Sequence, residues 1–164
     1  MKNKSTYNWK NNLLGTKSTL YYKDTIIGNL ESNNWNLDAR VAIHSDQYHF
    51  KNKGIFNPYT EIRNQKDELI GDIEYNTWTN KATISLIDRK YIWCAKNMWM
   101  TAWQIEDENG QIVEIRPSTL TNGGEIESLE NSELLLSVSL YLQKRLAAIF
   151  YLAVLIPIFL MLLH

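Results

Sequence analysis

The chain has a single cysteine, so it can form neither an internal disulfide nor a cysteine-rich metal site, and a reducing compartment is the simplest location. It also lacks a charge excess, because 17 basic residues stand against 18 acidic ones and neither kind forms a block. We therefore expect no nucleic-acid partner. The polar N-terminal residues lead into no apolar run of signal-peptide length, which argues against secretion.

Charged residues are also missing from residues 147–163, while Lys144 and Arg145 stand just before this apolar stretch. As a helix, residues 146–163 would measure roughly 27 Å, close to the hydrocarbon thickness of a bilayer. Positive residues at such an edge mark the cytoplasmic side of a membrane. We expect residues 146–164 to be a transmembrane tail that anchors the protein to the cytoplasmic face of a membrane. The alternative is a helix buried in protein or in an oligomer interface, which would leave the chain in the cytoplasm.

Short alternating runs rich in Ile, Val, Tyr, Trp and Thr occupy most of the chain before residue 131, separated by clusters of Asn, Asp and Gly. This pattern is typical of many short β-strands. A shift of 43 residues places Lys23–Phe50 on Lys66–Trp93 without a gap, and nine of the 28 aligned residues are identical. A partial third copy begins at Asn109. The sequence therefore predicts an internal repeat with about four strands in each unit.

Two and a half such units yield about ten to twelve strands, and a sheet of that size tends to close into a barrel, which also removes exposed edges. A barrel of that width cannot be filled by its own inward side chains. Leu134–Gln143 is the apolar segment that can fill it, as a helix that Asn131 or Ser132 caps. The residues predicted to plug the barrel are Leu134, Leu135, Leu136, Val138, Leu140, Tyr141 and Leu142.

The order of these elements resembles a known group, the tubby-like superfamily, which includes the phospholipid scramblases and the LURP-one-related proteins. The similar segments are Glu61–Arg63 with Leu69–Ile73, Trp103–Asp107 with Gly110–Ile112, and Glu133–Leu142. The resemblance covers roughly residues 18–145 and implies a closed antiparallel barrel of about twelve strands around a hydrophobic C-terminal helix. We therefore expect a mainly β protein with a flexible polar segment over residues 1–16. The barrel would occupy residues 17–145, with its central helix from about residue 132, and the tail would follow.

Candidate chemical groups are sparse. His44 and Asp46 share a face of a predicted strand, whereas His49 points to the opposite face, so one metal ion cannot easily be held by all three. Cys94 lies in a strand-like run and is interpreted as a buried structural thiol. We expect no catalytic residues, no metal and no cofactor, and hence a protein that is not an enzyme.

The six tryptophans invite two further predictions. Trp35 and Trp78 occupy equivalent positions of the repeat, which favours a shared packing role. Trp93, Trp99 and Trp103 follow one another closely, and we expect them to pack in the core rather than lie at a membrane interface.

The function expected from these features is non-enzymatic binding of a membrane lipid or a membrane protein by a membrane-associated, tubby-like domain. The alternatives are a soluble barrel that carries a lipid, and lipid translocation like that of the scramblases. Basic residues near a membrane attract anionic headgroups, each by about 1 kcal/mol. The residues expected to contact lipid are Lys51, Lys53, Arg89, Lys90, Lys144 and Arg145.

Overall fold

The computed structural model describes residues 4–33, 36–54, 58–118 and 122–162. These residues form twelve β-strands followed by one α-helix. The strands are β1 (Ser5–Asn11), β2 (Lys17–Tyr22), β3 (Thr25–Ser32), β4 (Ala39–Ile43), β5 (Asp46–Lys53), β6 (Tyr59–Asn64), β7 (Leu69–Asn76), β8 (Lys81–Leu86), β9 (Arg89–Ala95), β10 (Trp103–Asp107), β11 (Gly110–Ser118) and β12 (Gly123–Ser128), and the helix is α1 (Glu133–Leu162).

The twelve strands form a closed antiparallel barrel in which each strand pairs with its neighbours along the chain. The ring closes where β1 pairs with β12, from Ser5 opposite Ser128 to Lys10 opposite Gly123. A mainly β fold with a closed antiparallel barrel is thus confirmed. The prediction that residues 1–16 form a flexible segment before the barrel is wrong for β1, because without this strand the ring would stay open.

The repeat predicted from the 43-residue shift corresponds to four-stranded units of the barrel. The strands β2–β5 form the first unit and β6–β9 form the second, so each strand of one matches a strand of the other. Between the first two strands of a unit the register shifts after a fully buried residue, at Leu20 in the first unit and at Ile62 in the second. The same irregularity follows Ile105 in β10, the first strand of a third unit. Such bulges increase the local twist, which helps a sheet to close.

The third unit contains only three consecutive strands, β10–β12, and β1 supplies its fourth strand. A shift of 43 residues from Arg89, where β9 begins, reaches Ser132, and the chain then forms α1 instead of a fourth strand. Beside β12, β1 has the same alternation of a tyrosine and a second large aromatic residue as the last strand of the other units. The matching pairs are Tyr7 and Trp9 in β1, Tyr48 and Phe50 in β5, and Tyr91 and Trp93 in β9.

The first part of α1 fills the interior of the barrel. Ser132 caps the helix, since its Oγ accepts a hydrogen bond from the backbone N–H of Leu135 at 3.2 Å. The predicted plug residues pack in one core cluster with the inward side chains of the strands, and all are buried except Leu134, which is partly buried. The ring of Tyr141, for example, stacks on Phe50 of β5 with their centroids 4.3 Å apart. Because side chains on all faces of this segment are buried, the barrel wall surrounds it.

The helix α1 continues beyond the barrel to Leu162, with Pro157 inside it. Leu146 packs against the core and Ala148 is buried, but exposed apolar side chains follow. Those on the outer part of the helix are Ile149, Phe150, Ile158, Leu160, Met161 and Leu162. Within the part of the chain that the structure describes, no helix combines the length and the apolar character that a membrane crossing requires.

Candidate functional site

The helix α1 begins at one end of the barrel and leaves it at the other. At the capped end, where α1 begins, Nδ1 of His44 lies 2.5 Å from Oε1 of Glu133. At the exit end, the hydroxyl of Tyr141 donates a hydrogen bond to the carbonyl of Leu37 at 3.3 Å. The exit end is formed by the connections β1–β2, β3–β4, β5–β6, β7–β8, β9–β10 and β11–β12. The other connections between strands form the capped end.

Large apolar side chains project from the connections of the exit end. Trp78 is 96% exposed and Trp99 is 83% exposed. Together, the exit-end apolar loop residues are Leu13, Leu14, Trp78, Met98, Trp99 and Met100. The charged residues that the sequence places in these connections are Asp38 and Lys96. An exposed apolar patch with so little charge is typical of a surface that binds a membrane or a protein.

The capped end, by contrast, is rich in charge and in ion pairs. Its turns include the charged stretches Lys23–Asp24 and Lys66–Glu68. Nη2 of Arg89 lies 2.8 Å from a carboxylate oxygen of Glu130 and 3.2 Å from one of Asp107. Transfer of this end into an apolar environment would require the desolvation of all these charges.

A buried polar network lies where α1 passes through the exit end. The hydroxyl of Thr60, which is fully buried, lies 3.1 Å from the hydroxyl of Tyr141 and 2.7 Å from that of Tyr75. Asn52 donates a hydrogen bond to the Tyr141 hydroxyl at 3.0 Å and accepts one from Thr60 at 3.1 Å. Burial raises the pKa of Tyr75 well above its ordinary value, so its hydroxyl stays protonated. The network joins α1 to β5, β6 and β7.

Arg145 extends this network to the surface of the exit end. Its Nη1 donates a hydrogen bond to Oδ1 of Asn52 at 2.6 Å, and its guanidinium carbon lies 3.9 Å from the centroid of the Tyr75 ring. The ion pairs among the described residues do not include Arg145. Its neighbour Lys144 donates a hydrogen bond to the carbonyl of Gly15, and burial lowers the pKa of the Lys144 ammonium. The exit end therefore places two cations around the emerging helix.

A cavity of about 410 Å³ lies beside Arg145, between α1 and the rim of the barrel. Its lining includes Leu142 and Ile149 of α1 and the rings of Trp93 and Trp103, which stack with their centroids 4.3 Å apart. The indole N–H groups of both tryptophans are buried and have no hydrogen-bond acceptor among the described residues. Small-ligand pockets have volumes of about 300–1,000 Å³, so the cavity is large enough for a ligand.

The residues predicted to contact lipid are divided between the two ends. The two predicted residues of α1 lie at the exit end, as does Lys53 at the end of β5. Arg89 and Lys90 lie at the capped end, where β9 begins. On the barrel wall, Nζ of Lys51 donates a hydrogen bond to Oδ1 of Asp67 at 2.8 Å. The six residues therefore do not share one surface.

The tryptophans are divided between the core and the exit end. Trp93 and Trp103 are buried, as predicted. The predicted packing role of Trp78 and of Trp99 is wrong, because both side chains, in connections between strands, are strongly exposed. Trp35 lies outside the described residues. The signal that could have revealed the exposed tryptophans is the near absence of charge in the loops around them.

The candidate metal ligands and the cysteine thiol have other partners or are buried. Asp46 accepts a hydrogen bond from the hydroxyl of Tyr48 at 3.2 Å, and His44 contacts the start of α1 as described above. Burial lowers the pKa of His49 and raises the pKa of the Cys94 thiol, which is therefore a poor nucleophile. Over the described ranges, no three His, Cys, Asp or Glu side chains are grouped so that they could hold a metal ion.

Comparison with protein-family models, with curated proteins and with solved structures gives no match for this chain. The resemblance to the tubby-like superfamily therefore stays a prediction. What the geometry offers is a barrel with one apolar end, a helix that leaves through that end, and a cation beside a cavity at the same place.

Proposed function

We propose that this protein is a non-enzymatic, membrane-associated module of the tubby-like kind, which holds the exit end of its barrel against a lipid bilayer. The observation that carries the proposal is the coincidence of two apolar surfaces. The exit-end apolar loop residues and the outer part of α1 occur at the same end of the barrel. Together they are the candidate contacts with lipid.

The loops of the exit end suit the interfacial region of a bilayer. Indole rings such as those of Trp78 and Trp99 are favourable there, because the ring is apolar while its N–H stays hydrated. Full burial of an exposed Leu or Met side chain contributes about 1.5–3 kcal/mol. Since these loops contain few charges, little of that free energy is lost to desolvation.

The outer part of α1 would supply the anchor. The sequence has no charged residue over residues 147–163, and Phe150 and Leu160 expose apolar side chains to solvent. A helix satisfies its own backbone hydrogen bonds, so lipid can surround it at little cost. Lys144 and Arg145, at the point where α1 leaves the barrel, would then lie at the level of the headgroups.

The packing of α1 argues against the alternative of a soluble barrel that carries lipid inside. Leu136, Val138 and Leu140 lie in the barrel core, packed with the inward side chains of the strands. A lipid could take that space only if the helix left it. The surface available for lipid is therefore the exit end, and not the interior of the barrel.

Environment-sensitive labels at the two ends test this orientation. The fluorophore NBD would be attached to Met98→Cys at the exit end or to Ile87→Cys at the capped end, in a Cys94→Ser background. Both sites are strongly exposed, at 89% and 78%. We expect the label at position 98 to become several-fold brighter and blue-shifted when the full chain binds vesicles of phosphatidylcholine and phosphatidylserine, because the label leaves water. The label at position 87 is the matched control and should not respond.

Equal responses from the two labels, or no response from either, would contradict the proposed orientation. The vesicles contain no protein, so a response also separates lipid binding from binding to a membrane protein. A blue shift at position 98 that needs no vesicles would instead mean that copies of this chain associate through the exit end.

A further inference from the structure

The cavity at the exit end connects the proposed lipid-facing surface with the barrel core. Ile149 and Phe150, on one side of it, belong to the exposed part of α1. Leu142 and Trp103, deeper in the lining, are buried core residues. The lining therefore extends from the exposed part of α1 to residues of the barrel core.

The cavity also has a cation in a fixed position. The hydrogen bond to Asn52 and the contact with the Tyr75 ring hold the Arg145 guanidinium beside the lining. The described lining contains a second cation, Lys81, and no acidic side chain. A guanidinium in apolar surroundings is stabilised by an anion, and its planar donors fit a carboxylate or phosphate in a bidentate way.

Two residues of the lining carry further hydrogen-bond donors. The indole N–H groups of Trp93 and Trp103 are buried without an acceptor among the described residues. A buried donor without an acceptor is unfavourable, and a ligand oxygen within reach would remove that cost. The lining also contains Asn76, Thr77 and Asn80, but its charged side chains are both cations, and the rest of it is mostly apolar.

We propose that this cavity binds one single-chain anionic amphiphile, with its carboxylate or phosphate on Arg145 and its acyl chain against the apolar lining. The class follows from charge complementarity, because a neutral chain would leave the charge of the Arg145 guanidinium without a counter-ion among the described lining residues. The proposal rests on the proposed function in one respect, since the ligand would enter from the membrane that the exit end contacts.

Photo-crosslinking tests the site in the full chain. The protein would be bound to phosphatidylcholine vesicles that contain a trace of a diazirine derivative of palmitic acid, and the cross-linked residues would be mapped by mass spectrometry. We expect cross-links at the cavity lining, for example at Leu142, Ile149 or Trp103. Arg145→Gln should reduce this labelling by about tenfold, since it removes a charge-assisted hydrogen bond. Arg40→Gln, at an exposed arginine of β4 outside the cavity, is the matched control and should label normally.

A second variant tests the site independently, in case Arg145→Gln alters the fold. Ile149→Trp places a larger side chain in the cavity at a partly exposed position of α1. It should lower labelling, while the charge of Arg145 stays in place. Competition distinguishes the sources of the anion: oleate competing alone identifies a fatty acid, and lysophosphatidate competing better identifies a lysophospholipid. Lysophosphatidylcholine and methyl oleate should compete weakly, because neither has a net negative charge.

Labelling is normalised to the protein recovered with the vesicles, so a failure to bind membranes is not counted as a loss of the ligand site. Protein that does not float with vesicles contradicts the proposed function. If the protein floats with vesicles but Arg145→Gln leaves its labelling unchanged, the cavity proposal alone is overturned. Equal competition by methyl oleate and oleate would overturn it as well.

Discussion

The two ends of the barrel are joined by the same strands, yet they present opposite chemistry. At the capped end the turns are short, residues such as Asp24 and Asp67 adopt left-handed backbone conformations with φ of 65° and 61°, and ion pairs link neighbouring elements. At the exit end the connections are longer on the whole, poor in charge and rich in exposed apolar residues. Because the same strands run between the two ends, the chemical difference between the ends comes from the connections. Binding residues are commonly found in such connections.

Exposed apolar residues alone do not separate the two ends. Ile26, Leu69 and Ile87 project at the capped end as well. There, however, they stand next to charges, since Leu69 follows Lys66–Glu68 and Ile87 precedes Asp88–Lys90. The comparison indicates that several exposed apolar residues in connections with few charges, and not the exposure of one side chain, mark the candidate membrane contact.

The largest expected effect comes from one substitution made in the two parts of α1. Leu140→Asp places a carboxylate inside the barrel, where Leu140 is almost completely buried. We expect a loss of about 4 kcal/mol or more in the free energy of unfolding, because a buried charge without a partner is costly. Urea unfolding followed by near-ultraviolet circular dichroism measures it.

Leu160→Asp is the matched variant, since Leu160 lies on the exposed part of the same helix. It should change the free energy of unfolding by less than about 0.5 kcal/mol, as is usual for exposed positions. Its effect should appear instead as weaker recovery with vesicles. Equal destabilisation by the two variants would mean that the outer part of α1 belongs to the folded core.

The barrel could be predicted from the sequence because its causes are local and repeated. Alternating apolar residues, the 43-residue repeat and the helix cap at Ser132 all have visible signatures. The strand β1 was missed because STYNWKN is mostly polar, with Tyr7 and Trp9 as its buried residues. The sequence does contain a signal for it, since the spacing of Tyr7 and Trp9 matches that of Tyr91 and Trp93, but β1 precedes the unit that it completes.

The site was less accessible from the sequence because its parts come from distant positions. Arg145 depends on Asn52 and on Tyr75, which lie on different strands and share no motif with it. Trp78 could be aligned with its repeat partner, but the alignment does not tell whether an equivalent residue faces the core or solvent. Closure of the barrel determines both the contacts of Arg145 and whether Trp78 faces the core or solvent.

A smaller effect, dependent on pH, concerns the base of the apolar loop between β9 and β10. Glu114 is buried beside Lys96, whose Nζ donates to its carboxylate at 2.6 Å, and Arg116 donates at 2.9 Å. Burial alone would raise the pKa of Glu114, but the hydrogen bonds from Lys96, Gln111 and Arg116 outweigh it and lower the pKa to about 2.

Because the pKa of Glu114 is lower in the folded state than in the unfolded state, its contribution to stability is complete above the unfolded value. It is lost as the pH falls from about 5 towards 2. We expect the chain to lose roughly 1–3 kcal/mol more over that interval than Glu114→Gln does, as measured by urea unfolding at several pH values. Parallel pH profiles for the two proteins would show that these hydrogen bonds do not hold the loop.

The smallest effect compares two exposed lysines at opposite ends of the barrel. Lys53 lies at the exit end and Lys90 at the capped end, and both were predicted to contact lipid. A basic residue near an anionic surface contributes about 1 kcal/mol, and this falls off within a Debye length, about 8 Å at physiological salt. Lys53→Gln should therefore weaken binding to phosphatidylserine-containing vesicles by about fivefold, an effect that added salt removes. Lys90→Gln, on the far side of the barrel, should leave binding unchanged. The opposite result would require the bilayer to contact the charged end of the barrel and would reverse the orientation inferred from the apolar loops.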